Sequence, residues 1–111
     1  MIGELELGYA FSTCKSYFPS IGPLIDDIES NNIDKSKVLF VSAQEDKNEK
    51  ILIRGCEVQK VTYSGLHLTP AIFLSENHQQ YPNAKYWFLL PATVRMGNDF
   101  HKKVQNAFCL T

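Results

Sequence analysis

The sequence predicts an α+β domain, a mainly antiparallel sheet of about five to six strands with an amphipathic helix after the first strand and a second helix at the C-terminus. Three observations carry this expectation. Between residues 38 and 74, short β-branched and aromatic runs succeed one another with turn signals between them, the order of hairpin-linked strands. Ile21, Leu24, Ile25 and Ile28 hold the i, i+3, i+4, i+7 spacing of one helical face. Phe100, Val104, Ala107 and Phe108 share one helical face near the end of the chain.

Glu4 to Phe11 opens with alternating acid and apolar residues (Glu4, Leu5, Glu6, Leu7) and continues through Tyr9 and Phe11, the pattern of a half-buried strand. Pro19, Ser20, Gly22 and Pro23 then break the chain and open the first helix, with Ser20 or Gly22 as its N-cap. Asp26, Glu29 and Ser30 face away from the apolar stripe, and Asn31-Asn32 suits a left-handed stop. Val38 to Ala43 is a continuous apolar run, as in an interior strand covered on both faces. Gln44 to Glu49 turns the chain, and Ile51-Leu52-Ile53 returns as the partner strand. Beyond Gly55, Cys56 to Tyr63 stays extended, with a phase slip near Lys60 that suggests a bulge. Ser64-Gly65 marks a tight turn from which Leu66 to Leu74 pairs back, Pro70 keeping that arm at an edge or kinking it. Ser75 to Asn83 is the longest polar loop. Lys85 to Leu90 is a last strand closed by Pro91, and Asn98 is placed to cap the final helix.

A chain of 111 residues, 44% apolar and 21% charged, is sized and composed for one folded domain over residues 1–111. Its longest apolar runs, Val38 to Ala43 and Tyr86 to Ala92, are strand-sized, far short of the roughly 18 residues a bilayer span needs. Glu4 and Glu6 stand where a secretory signal is basic, so a cytoplasmic location without a membrane partner is expected. Cys14, Cys56 and Cys109 are odd in number, widely spaced and without a Cys-x-x-Cys unit, the usage of free thiols in apolar space.

No His-x-x-x-His, Cys-x-x-Cys or glycine-rich phosphate loop occurs, so neither a metal nor a cofactor is expected. Nucleic-acid binding is disfavoured, because the net charge is −1 and Lys102-Lys103 is a pair rather than a patch. Tyr86, Trp87 and Phe88 are adjacent on a strand and must divide between its two faces. His67-Leu68-Thr69 resembles one half of the His-x-Thr signature of two-histidine phosphodiesterases, which implies one of the two imidazoles that serve there as acid and base. No second His-x-Thr or His-x-Ser is present to supply the other.

Charge is unevenly spread. Residues 1–34 balance at −5 and residues 51–111 at +3. This asymmetry leads to the functional expectation: a small protein-binding module of the inhibitor, antitoxin or immunity-protein kind, which neutralises a toxin or enzyme. Asp26, Asp27, Glu29 and Asp34 would form an acidic face for a basic toxin or nuclease, gaining association rate by steering. Glu76, His78 and Tyr81 of the long polar loop would supply a second contact region. Two alternatives stand beside it. One is a small hydrolase such as a ribonuclease using His67 or His78 with Glu57, and Arg54 or Arg95 on the phosphate. The other is a small-ligand site on a sheet or half-barrel lined by Tyr63, Phe73 and Trp87.

Overall fold

The alternating segment at the start of the chain forms β1 (Leu7–Thr13) in the computed structural model, which describes residues 6–109. Glu4 and Leu5, expected in this strand, lie outside the described residues, as does Leu110. A 3-10 helix (Lys15–Ser20) leads from β1 into α1 (Ile21–Ser30), and a short 3-10 turn (Lys35–Lys37) leads into β2 (Val38–Ser42). β3 (Glu49–Ile53) and β4 (Cys56–Lys60) follow as a hairpin. Then come α2 (Thr69–Asn77), a 3-10 turn (His78–Gln80), β5 (Tyr86–Pro91) and α3 (Phe100–Cys109).

The α+β class holds, but the sheet is mixed and mostly parallel, not mainly antiparallel. Its order is β3-β4-β2-β1-β5. β1 runs parallel to both β2 and β5, β2 runs parallel to β4, and only β3 and β4 are antiparallel. The unbroken apolar run Val38–Ser42 is the mark of a parallel interior strand, and all five of its residues are buried. Ile51-Leu52-Ile53 does not return against it. That strand pairs instead with β4 across a two-residue turn, Arg54-Gly55, whose φ values of 50° and 85° are those of a type I′ hairpin.

The sheet has five strands rather than five to six, because the segment expected to pair back from Leu66 is helical from Thr69 onward. Pro70 occupies the first turn of α2, where its missing N–H costs nothing. Four consecutive apolar residues, Ala71 to Leu74, show no period that separates strand from helix. The expected polar loop is accordingly shorter, since α2 runs to Asn77 and a 3-10 turn follows. The registers of β4 continue without a bulge up to Lys60. Beyond it, Val61 and Tyr63 stay bonded to the exit of β2 through Val61 N–H to Ser42 O and Gln44 N–H to Tyr63 O.

Alternate residues of the strands divide into two cores. Tyr9, Phe11, Phe40 and Val58 face Ile21, Leu24, Ile25 and Ile28 of α1, with Phe100 and Val104 of α3 packed on the same side. Ala10, Leu39 and Val41 face Phe73 and Leu74 of α2 on the other side. The connection β1-α1-β2 steps one way along the sheet, and the connection through α2 from β4 to β5 crosses back the other way. Two right-handed crossovers of opposite direction place their helices on opposite faces. α1 is the element best anticipated: its whole apolar stripe is buried, and Asn32, with φ 55°, makes the left-handed stop.

Candidate functional site

The strand order reverses at β1. The chain runs outward to β2 and then to the β3–β4 hairpin, with β3 at the edge, before it returns to lay β5 on the other side of β1. In open sheets with parallel strands, the region beyond the carboxyl ends at such a reversal is left uncovered, because the flanking connections leave toward different faces. Here it holds a cavity of about 310 Å³. Ser12, Thr13 and Cys14 come from the end of β1, Ala43 and Gln44 from the end of β2, and Pro91 and Thr93 from the end of β5. Tyr17, on the connection to α1, and Ser64, Leu66 and His67, on the connection to α2, form the walls.

The crevice walls are held by hydrogen bonds. Thr69, fully buried at the start of α2, donates its Oγ1 hydroxyl to Leu66 O at 2.7 Å and accepts Gly65 N–H at 2.9 Å. Ser64 Oγ accepts Leu66 N–H at 3.2 Å. Across the crevice, buried Glu45 accepts the Ser42 hydroxyl at 2.5 Å and donates its own N–H to Val61 O at 2.8 Å. These bonds leave Gln44 (φ 55°) and Leu66 (φ 56°) in left-handed conformations. Lys15 and Asp46, on the connections leaving β1 and β2, pair at 3.3 Å in an exposed bridge.

Most residues expected to contact a partner are engaged within the molecule. Asp27 is buried and accepts two bonds from Arg95, Nε at 2.6 Å and the guanidinium Nη2 at 2.9 Å, plus Met96 N–H at 2.9 Å. The Arg95 hydrogen bond is the main cause holding its carboxyl below the usual range. Glu29 binds Lys35 at 2.7 Å and Arg54 at 2.5 Å, and Asp26 binds Arg54 at 2.7 Å. Asp34 accepts Ser36 N–H at 2.9 Å as an N-cap. Tyr81 is buried and donates its hydroxyl to Glu57; burial first, then that carboxylate, pushes its pKa up. Glu76 and His78 are exposed, Glu76 on α2 and His78 on the turn after it.

Of the residues proposed for hydrolysis, His67 and Glu57 do not converge. His67 lines the crevice at the carboxyl edge, whereas Glu57 is the second residue of β4, toward the opposite edge, bound by Tyr81 and Lys50. Phe73 is buried in the core beneath α2 with Tyr63 and Trp87 packed against that core, and Tyr63 and Phe73 also line a second cavity of about 330 Å³ beside Glu76. Tyr86 and Phe88 turn to the other face, so the three adjacent aromatics divide as strand geometry requires. Among the described residues no group of three or more His, Cys, Asp or Glu is placed to hold a metal ion. No helix among them is long and apolar enough to cross a membrane. No family model, curated protein or solved structure matches the chain.

Proposed function

We propose that this domain binds a small ligand with an apolar body and a polar edge in the crevice beyond the carboxyl ends of β1, β2 and β5. The observation that carries the reading is the coincidence of that cavity, about 310 Å³, with the point where the strand order reverses. Its lining supports the same conclusion: most of the surface is apolar, with Tyr17, Ala43, Leu66 and Pro91 among its residues, and Ser12, Ser64, Thr93, Gln44 and His67 add polar side chains from four separate chain segments. Such groups orient a ligand by hydrogen bonds in both directions, since hydroxyls and amides donate and accept.

An inhibitor role through the acidic residues draws no comparable support, because Asp26, Asp27 and Glu29 are already neutralised by Arg54, Arg95 and Lys35. Paired charges cannot steer a basic partner as unpaired ones do. The test of the crevice is a nuclear magnetic resonance titration of the protein with a panel of sugars, nucleosides, amino acids and small carboxylic acids. A ligand of this site shifts Ser12, Gln44 and Thr93. Thr93→Trp, at an exposed position, fills the crevice and removes those shifts without unfolding the protein. Shifts confined to another surface, or an unresponsive protein, would refute the reading.

A further inference from the structure

We propose that the crevice clamps a flat heteroaromatic ring of the nucleobase type between Tyr17 and Leu66, with the Gln44 amide reading the ring's edge; this rests on the ligand-binding reading of the same crevice. The first observation is backbone strain. Five described residues other than glycine have positive φ: Asn32, Gln44, Arg54, Leu66 and Asp99. Three have local reasons, since Asn32 stops α1, Arg54 sits in the β3–β4 turn beside Gly55, and Asp99 precedes α3. The other two, Gln44 and Leu66, are not residue types that favour this conformation; the hydrogen bonds of the crevice walls hold them there, and both line the crevice. Residues held there by their surroundings concentrate at ligand clamps.

The second observation is exposure. Leu66 is 79% exposed and Tyr17 53% exposed, although both line the cavity. Tyr17 lies on the connection to α1 and Leu66 on the connection to α2, which occupy opposite faces of the sheet. An aromatic and an aliphatic residue thus belong to opposite walls of a crevice whose mostly apolar lining also includes hydroxyl and amide side chains. A planar ring fills such a slot, burying both apolar surfaces while its edge meets polar groups.

Charge narrows the class. No lysine, arginine, aspartate or glutamate is among the lining residues, and nearby Lys15 is paired with Asp46. The lining therefore recognises a neutral ring more readily than a phosphate, which calls for cationic partners. The Gln44 amide offers a donor beside an acceptor, matching the donor–acceptor edge of a nucleobase. A volume of about 310 Å³ lies at the small end for ligand sites, enough for one ring system and a sugar rather than a dinucleotide.

The test titrates the whole protein with adenosine, guanosine, cytidine and uridine separately, and with ribose, glucose and inorganic phosphate, by calorimetry and resonance shifts. One or more nucleosides bind and shift Tyr17 and Gln44, while ribose and phosphate do not. Tyr17→Ala weakens that binding about tenfold, the loss of one stacking contact. Gln44→Gly, which suits the left-handed backbone and keeps the fold, removes the preference among bases. If only ribose, glucose or phosphate shifts crevice residues, the ring clamp is wrong while the ligand site stands. If a nucleoside binds equally well to both variants, the clamp is also wrong. If no probe shifts the crevice, this inference and the ligand-binding reading fall together.

Discussion

Asp27 shows how one side chain changes meaning between sequence and structure. In the sequence it is one of several acids on the polar side of a helix. In the fold its carboxylate bridges α1 to the segment after β5, through Arg95 and the Met96 amide. Asn31 extends the attachment, donating to Gly97 O at 3.3 Å and accepting His101 N–H at 3.2 Å. Removing the carboxylate in Asp27→Ala orphans the Met96 amide and costs about 2 kcal/mol of folding stability at neutral pH. The pH dependence has a defined sign. The folded-state pKa of Asp27 is depressed, so its contribution is fully present above the unfolded value of about 4 and disappears as pH falls through the folded value. Glu29 and Asp34 are depressed too and add to the same acid limb. Urea unfolding at pH 7 and pH 3 should show a smaller acid loss in the variant than in the wild type. Equal losses would show that Asp27 is not a source of the pH dependence. None of this was legible beforehand, because Arg95 lies 68 residues away and pairing at that separation leaves no local pattern.

At the scale of elements, legibility followed periodicity. α1 and α3 announce themselves by one-sided apolar spacing, and both form where that spacing falls. α2 hides, since Thr69–Asn77 is apolar around much of its circumference and reads equally well as a strand. Pro70 then pointed the wrong way, as an edge-strand signal rather than a helix-opening one. The β3–β4 hairpin was half legible: Gly55 separates two extended segments in the sequence, but the first of them pairs with the second rather than with β2, the expected partner. Two glycines separate backbone strain from crowding. Gly55 has φ 85°, and a Cβ there would meet nothing closer than Lys35 Cδ at 3.4 Å. Gly55→Ala therefore costs about 1 kcal/mol or more through strain alone. Gly97, on the segment before α3, has open space around it and no positive φ, so Gly97→Ala stabilises by about 0.4–1 kcal/mol through the unfolded chain. Thermal unfolding should move in opposite directions for the two; a shift of the same sign would contradict these backbone assignments.

For the molecule as a whole, the parallel architecture was written in one place, the unbroken apolar run of β2, and outweighed by the assumption that successive strands pair. The pairing of β1 with β5 joins Leu7 to Tyr86, a contact that no local signal reports. The crevice suffered likewise: it is assembled from four segments, of which only His67 had been singled out, and for another chemistry. The parallel pairing makes a prediction residue by residue along β5. Tyr86 N–H donates to Glu6 O and Ala92 N–H to Ser12 O. With a strand period of two, the amides of Phe88 and Leu90 also face β1, while those of Trp87 and Leu89 point to the free edge. Pro91, next on that edge, has no amide to offer, which suits an edge that resists further pairing. Hydrogen exchange followed by magnetic resonance should find Phe88 and Leu90 protected and Trp87 and Leu89 exchanging fast. Protection of all four would mean that another strand, from a second copy or a longer chain, covers this edge. Fast exchange of all four would mean that β5 is not the partner of β1.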